Sequence, residues 1–136
     1  MSLDLKMLIA AALLALAQTF PYLGAIVLRG GLRAAAGNRQ ELPPLPEWAH
    51  RSERAQRNML ANLVPFSVLV LIAHQAGLAN AETASGAVVF FWARLAYAVI
   101  YIAGIPYLRT AAYIISLGGL FDVAGVLLSA WSGAAA

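Results

Sequence analysis

The chain has 136 residues, 62% of them hydrophobic and 11% charged, with a net charge of +3. A soluble domain carries about 25% charged residues to cover its surface, and a disordered chain needs low hydrophobicity with high charge. Both are excluded, which leaves an all-α integral membrane protein: one four-helix domain spanning residues 1–136.

A membrane span needs about 20 apolar residues. The first is expected at about 5–28, broken only by Lys6, Gln18 and Thr19, with a kink at Pro21. Ala15-Leu16-Ala17 resembles a signal cleavage site, but Asp4 cancels Lys6 and the apolar run continues through Tyr22–Leu28. A retained helix is therefore expected. A long polar loop, 29–58, follows and holds Arg29, Arg33, Arg39, Arg51, Arg54 and Arg57, six of the nine basic residues. Its positive charge is local and has no interleaved aromatics, so nucleic acid is not an expected partner.

Within this loop Pro43-Pro44-Leu45-Pro46 is extended, and Glu47 opens a helix that runs on into the second span, about 59–79, with a kink expected at Pro65. Glu47 can pair with Arg51, and Glu53 with Arg57, each at i,i+4. Arg54 has no acid at helical spacing. Its stripe continues through Asn58, Ala61, Asn62 and Pro65. An unpaired arginine above two amides suits a carboxylate or phosphate; a lipid-headgroup anchor above interhelix amides fits the spacing equally.

The third span is expected at about 84–105 and the fourth at about 108–131, joined by a tight antiparallel turn. Arg94 lies about 16 Å before that turn, near mid-membrane, where an arginine needs a partner or a watery cavity. Counting back from Pro106-Tyr107 sets Arg94 level with Gly119, one turn from Asp122, so an Arg94–Asp122 ion pair is expected. Tyr97, Tyr101, Arg109 and Thr110 fall near one membrane face. They suit either a basic, hydroxyl-rimmed pocket or an ordinary aromatic belt. Gly118-Gly119 and Gly125-x-x-x-Ser129 permit close helix approach.

The first and third connections share one side with seven arginines, against Lys6 alone on the other. The positive-inside rule then expects the long loop in the cytoplasm and both termini opposite. There is no cysteine. His50 and His74 lack metal-site spacing, so both are expected at the surface or interface and no metal is expected.

Glu53-Arg54-Ala55-Gln56-Arg57-Asn58 leading to Pro65-Phe66, then Ala93-Arg94-Leu95-Ala96-Tyr97, Tyr101 and Gly104-Ile105-Pro106-Tyr107-Leu108-Arg109-Thr110, resemble the MAPEG family, membrane-associated proteins in eicosanoid and glutathione metabolism. The resemblance covers most of the chain and is to a bacterial-type member, which implies the inner membrane. It implies a homotrimer that holds glutathione between subunits. Arg54, Asn58, Tyr97 and Tyr101 would bind the tripeptide, with Asn62 and Thr110 beside them. Arg109 would match the arginine that stabilises the glutathione thiolate, which then attacks a lipophilic electrophile from the bilayer. The family pattern R-x-x-x-N-x-x-E meets Ala61 at its last position. Losing that glutamate costs about 1.5–3 kcal/mol if it holds the glutathione ammonium.

Three functions follow as expectations. The chain is a glutathione-dependent transferase or peroxidase, or a non-catalytic relative that binds lipid or a small amphiphile, or an accessory subunit of a larger membrane complex. One buried arginine does not line a pore, which disfavours a channel.

Overall fold

The computed structural model describes residues 1–40 and 42–134. Its elements are α1 (Leu3–Ala17), α2 (Thr19–Ala36), α3 (Glu47–Gln75), α4 (Ala81–Ala103) and α5 (Pro106–Ala134). The run α1–α2 and each of α3, α4 and α5 are long and apolar enough to cross a membrane. Helices of this kind satisfy their backbone groups internally, as lipid demands. The chain is thus a four-helix bundle in contact with lipid. The turn between α4 and α5, the start of α3 and the end of α2 share one end of it, here the loop end. The starts of α1 and α4 and the end of α3 share the other, the terminus end.

The first stretch is broken one turn before the expected kink. Proline lacks an N–H and its ring presses on the carbonyl four residues earlier. For Pro21 that carbonyl belongs to Ala17, where α1 stops; Gln18 makes the turn and α2 resumes at Thr19. Gln56 Nε2 of α3 donates to Thr19 Oγ1 at 2.7 Å, tying the two helices at the break. Helix α2 then runs to Ala36, so part of the expected loop is helical. Gly31 redirects the helix there with φ 72°, a backbone that glycine adopts without strain.

Helix α3 opens after Pro46 and carries Pro65 inside it without ending. It stops at Gln75, a turn short of the expected Ala79, because Gly77 turns the chain at φ 69°. Asn80 starts α4 with a capping box: its side chain accepts from the Glu82 and Thr83 amides, and Thr83 Oγ1 accepts from the Asn80 amide.

Two polar ties bind the bundle ends. At the terminus end Asp4 is 2% exposed and accepts from His74 at 2.9 Å and from the Thr83 hydroxyl at 3.3 Å. One carboxylate thereby joins α1, α3 and α4. From sequence Asp4 is expected only to offset Lys6, and His74 to lie at the surface or interface; their direct contact is not anticipated. At the loop end Arg51 Nε donates to the Ile102 carbonyl at 2.9 Å. It caps α4 instead of pairing with Glu47, since a guanidinium at a helix C-terminus meets both free carbonyls and a favourable dipole. Glu53 and Arg57 do pair, at 2.6 Å.

Lipid tails are as apolar as a protein core, so membrane helices associate by close packing. The closest approach lies between α4 and α5. A Cβ on Gly119 would stand 2.5 Å from the Gly86 carbonyl oxygen, and one on Gly86 would stand 2.6 Å from that of Gly119. Beside this contact Phe66 and Phe90 stack at 3.9 Å with Met59, Val70, Ala87 and Val123 around them. Gly118, by contrast, has nothing within 4 Å of where its Cβ would be. Gly119→Ala should therefore destabilise the detergent-solubilised protein by about 1–3 kcal/mol through overpacking. Gly118→Ala should cost nothing. Thermal unfolding of the two variants side by side checks the contrast.

Candidate functional site

At the loop end α3, α4 and α5 enclose a cavity of about 200 Å³ lined by Asn58, Tyr97, Tyr101, Arg109, Thr110 and Tyr113. Each helix contributes by periodicity. Tyr97 and Tyr101 are one turn apart on α4, and Arg109, Thr110 and Tyr113 lie within one turn of one another on α5. Their rings form one wall: Tyr97 meets Tyr101 at 5.4 Å and Tyr113 at 6.1 Å between centroids. The Arg109 guanidinium lies over the Tyr101 ring at 4.6 Å, within cation–π range. Thr110 Oγ1 donates back to the Pro106 carbonyl at 3.3 Å.

Behind this wall lies Arg94, which is wholly buried. Its Nη2 donates to Asn58 Oδ1 at 2.7 Å, and its Nε meets the Met59 sulfur at 3.5 Å. The guanidinium also covers the Tyr97 ring at 4.6 Å and stands 5.9 Å from that of Tyr113. Among the described residues Arg94 Nη1 has no hydrogen-bond partner.

The expected Arg94–Asp122 ion pair is not formed. The turn centres on Gly104 and Ile105, Gly104 at φ 84°, so the hairpin closes earlier than a turn at Pro106-Tyr107 would allow. The Gly86–Gly119 contact fixes the same register, and Arg94 comes level with Tyr113. Asp122 lies nine residues further along α5, about 13 Å away at 1.5 Å per residue, on an exposed face. Amide and aromatic groups replace the carboxylate as Arg94's company.

Of the residues proposed from sequence, the cavity brings together Asn58, Tyr97, Tyr101, Arg109 and Thr110. Asn62 is buried one turn beyond Asn58 and donates to the Asn58 carbonyl at 2.8 Å, so it backs the site without lining it. Arg54 is exposed and outside the lining. Tyr113 was missed. Its signal was present, four residues after Arg109 and hence on the same helix face.

Geometry alone gives the cavity a defined chemistry. It has one guanidinium at its wall, a second behind it, phenol hydroxyls and an amide, and no acidic residue in its lining. That set stabilises an anion. A double-mutant cycle between Arg94 and Asn58 should give a coupling of about 1–3 kcal/mol in unfolding of the solubilised protein, whereas one between Arg94 and Asp122 should give none.

The model of the MAPEG family matches residues 7–129. No curated protein was found to match the chain.

Proposed function

The chain belongs to the MAPEG family, and from that premise we propose that the loop-end cavity binds glutathione, or a closely similar acidic thiol, for attack on lipophilic electrophiles. The observation that carries this reading is Arg109, held over Tyr101 in a cavity that also presents Asn58, Tyr97, Thr110 and Tyr113. A thiol seated against Arg109 loses its proton more readily, because the guanidinium favours the anion. The thiolate sulfur then forms a bond to an electrophilic carbon, and the electron pair of the bond that breaks leaves with its departing group. In the peroxidase variant the thiolate attacks the terminal oxygen of a lipid hydroperoxide: the O–O bond breaks, the sulfur keeps the hydroxyl as a sulfenic acid, and the lipid leaves as an alkoxide that takes up a proton.

A single chain supplies only part of the site. About 200 Å³ is below the roughly 300–1,000 Å³ of ligand pockets, which favours walls completed by a neighbouring subunit of a homotrimer. Gly125, with nothing within 4 Å of its Cβ position, leaves room for close approach. We place the loop end in the cytoplasm, where glutathione is available and where the positive-inside rule puts the arginines.

A second reading, a non-catalytic binder of lipid or a small amphiphile, is favoured by a different feature. At the terminus end an almost wholly apolar cavity of about 560 Å³ lies between α3 and α5, lined by residues such as Leu69, Ile72, Leu127 and Trp131. It suits an acyl chain and has no thiolate chemistry.

Glutathione at millimolar concentration should raise the unfolding temperature of the solubilised protein saturably. Arg109→Ala should abolish the ultraviolet absorbance of bound thiolate while the protein stays folded. Retained lipid with no glutathione in native mass spectrometry would support the second reading instead.

A further inference from the structure

Toward the terminus end two charges of opposite sign stand on outward faces. Asp122 of α5 is exposed within a membrane-spanning helix and forms no ion pair among the described residues. Lys6 of α1 is likewise exposed and likewise unpaired among them. A carboxylate on such a face is costly against lipid tails, and aspartate is too short to carry its charge far along the helix to water.

The two stand at one depth. The Gly86–Gly119 contact sets Asp122, three residues beyond Gly119, level with about Thr83. The Thr83 hydroxyl donates to Asp4, and α1 runs in the same direction as α4. Lys6 therefore lies only two residues, about 3 Å, further along the bundle. Within one chain they do not meet: α1 packs on α2, α3 and α4, α5 packs on α3 and α4, and no contact joins α1 to α5. Of the other ionisable side chains at this end, Asp4 and His74 hold each other. Glu82 stands in the first turn of α4, where the helix dipole favours an acid.

The surroundings of the two charges are complementary in shape. Lys6 belongs to an exposed row with Leu3, Ile9 and Leu13, at spacings of three and four. Asp122 is followed three residues later by Gly125, whose Cβ position is open. Leu3, three residues before Lys6 on a helix of opposite direction, comes level with that gap. Copies of the chain share one orientation in the bilayer, so equal depth within a chain is equal depth between chains. A contact between two different faces of one chain is head-to-tail, and it closes into a ring when its rotation allows.

We propose that α1 of each copy packs against α5 of the next, and that Lys6 pairs there with Asp122 of the neighbouring copy. This interface rests on the homotrimer proposed above and is independent of its thiol.

The chain has no cysteine, so cross-linking probes the contact directly. A short bifunctional maleimide added to native membranes should join chains of Lys6→Cys/Asp122→Cys into oligomers on a denaturing gel. Each single cysteine variant should stay monomeric there. In native mass spectrometry of the solubilised protein, Lys6→Asp and Asp122→Lys should each weaken association about tenfold, and the double reversal should restore most of it. Absence of the inter-chain link would overturn this interface, as would independent, additive losses in the reversals or a trimer indifferent to both. A monomeric unaltered protein would overturn the homotrimer as well. Should a charge reversal fail to insert, the cysteine pair decides the matter.

Discussion

The contact between the Gly86 and Gly119 backbones governs the rest of the molecule. Two helices that touch through carbonyl oxygens and missing side chains have one register, because any shift brings a Cβ against a backbone atom. That register sets Arg94 level with Tyr113 and carries Asp122 away along α5. It also sets which face of α5 meets α3, and so brings Arg109, Thr110 and Tyr113 to the same cavity as Asn58. In lipid, where apolar burial gives helices little reason to prefer each other, such steric definition does the work that a hydrophobic core does in water.

Arg94 illustrates how a buried charge is tolerated without an opposite charge. An amide oxygen, a thioether and two aromatic faces surround it. Each is weak beside a carboxylate, but together they leave the cation only partly compensated. The positive field that remains falls on the cavity next door, whose tyrosines separate Arg94 from Arg109. Asn62, by holding the Asn58 carbonyl, steadies the side chain on which this arrangement turns.

Much of this was legible in the amino-acid order. Apolar run lengths defined the four spans, and helical spacing brought Tyr97 to Tyr101 and Arg109 to Thr110. What escaped depended on distances between helices. The partner of Arg94 was misjudged because the count began one residue pair too late in the turn, and a turn's centre shifts every level beyond it. The union of Asp4 with His74 joins residues 70 positions apart, beyond any periodicity argument. Pro21 was recognised as the cause of a break, yet its effect falls on Ala17, four residues back, where the displaced carbonyl lies.

Helix α4 has a firm stop at each end: the Asn80 capping box at its start, and Gly104 in the left-handed region with Arg51 on the Ile102 carbonyl at its finish. Its 23 residues therefore have a set length, about 35 Å at 1.5 Å per residue, against a hydrocarbon layer of roughly 30 Å. A helix that can neither fray nor extend acts as a ruler. Where the bilayer is thinner than this length α4 can tilt, and where it is thicker the surrounding lipid must thin to meet it; in either case the Asp4–His74 tie and the tyrosine-lined cavity keep a constant separation.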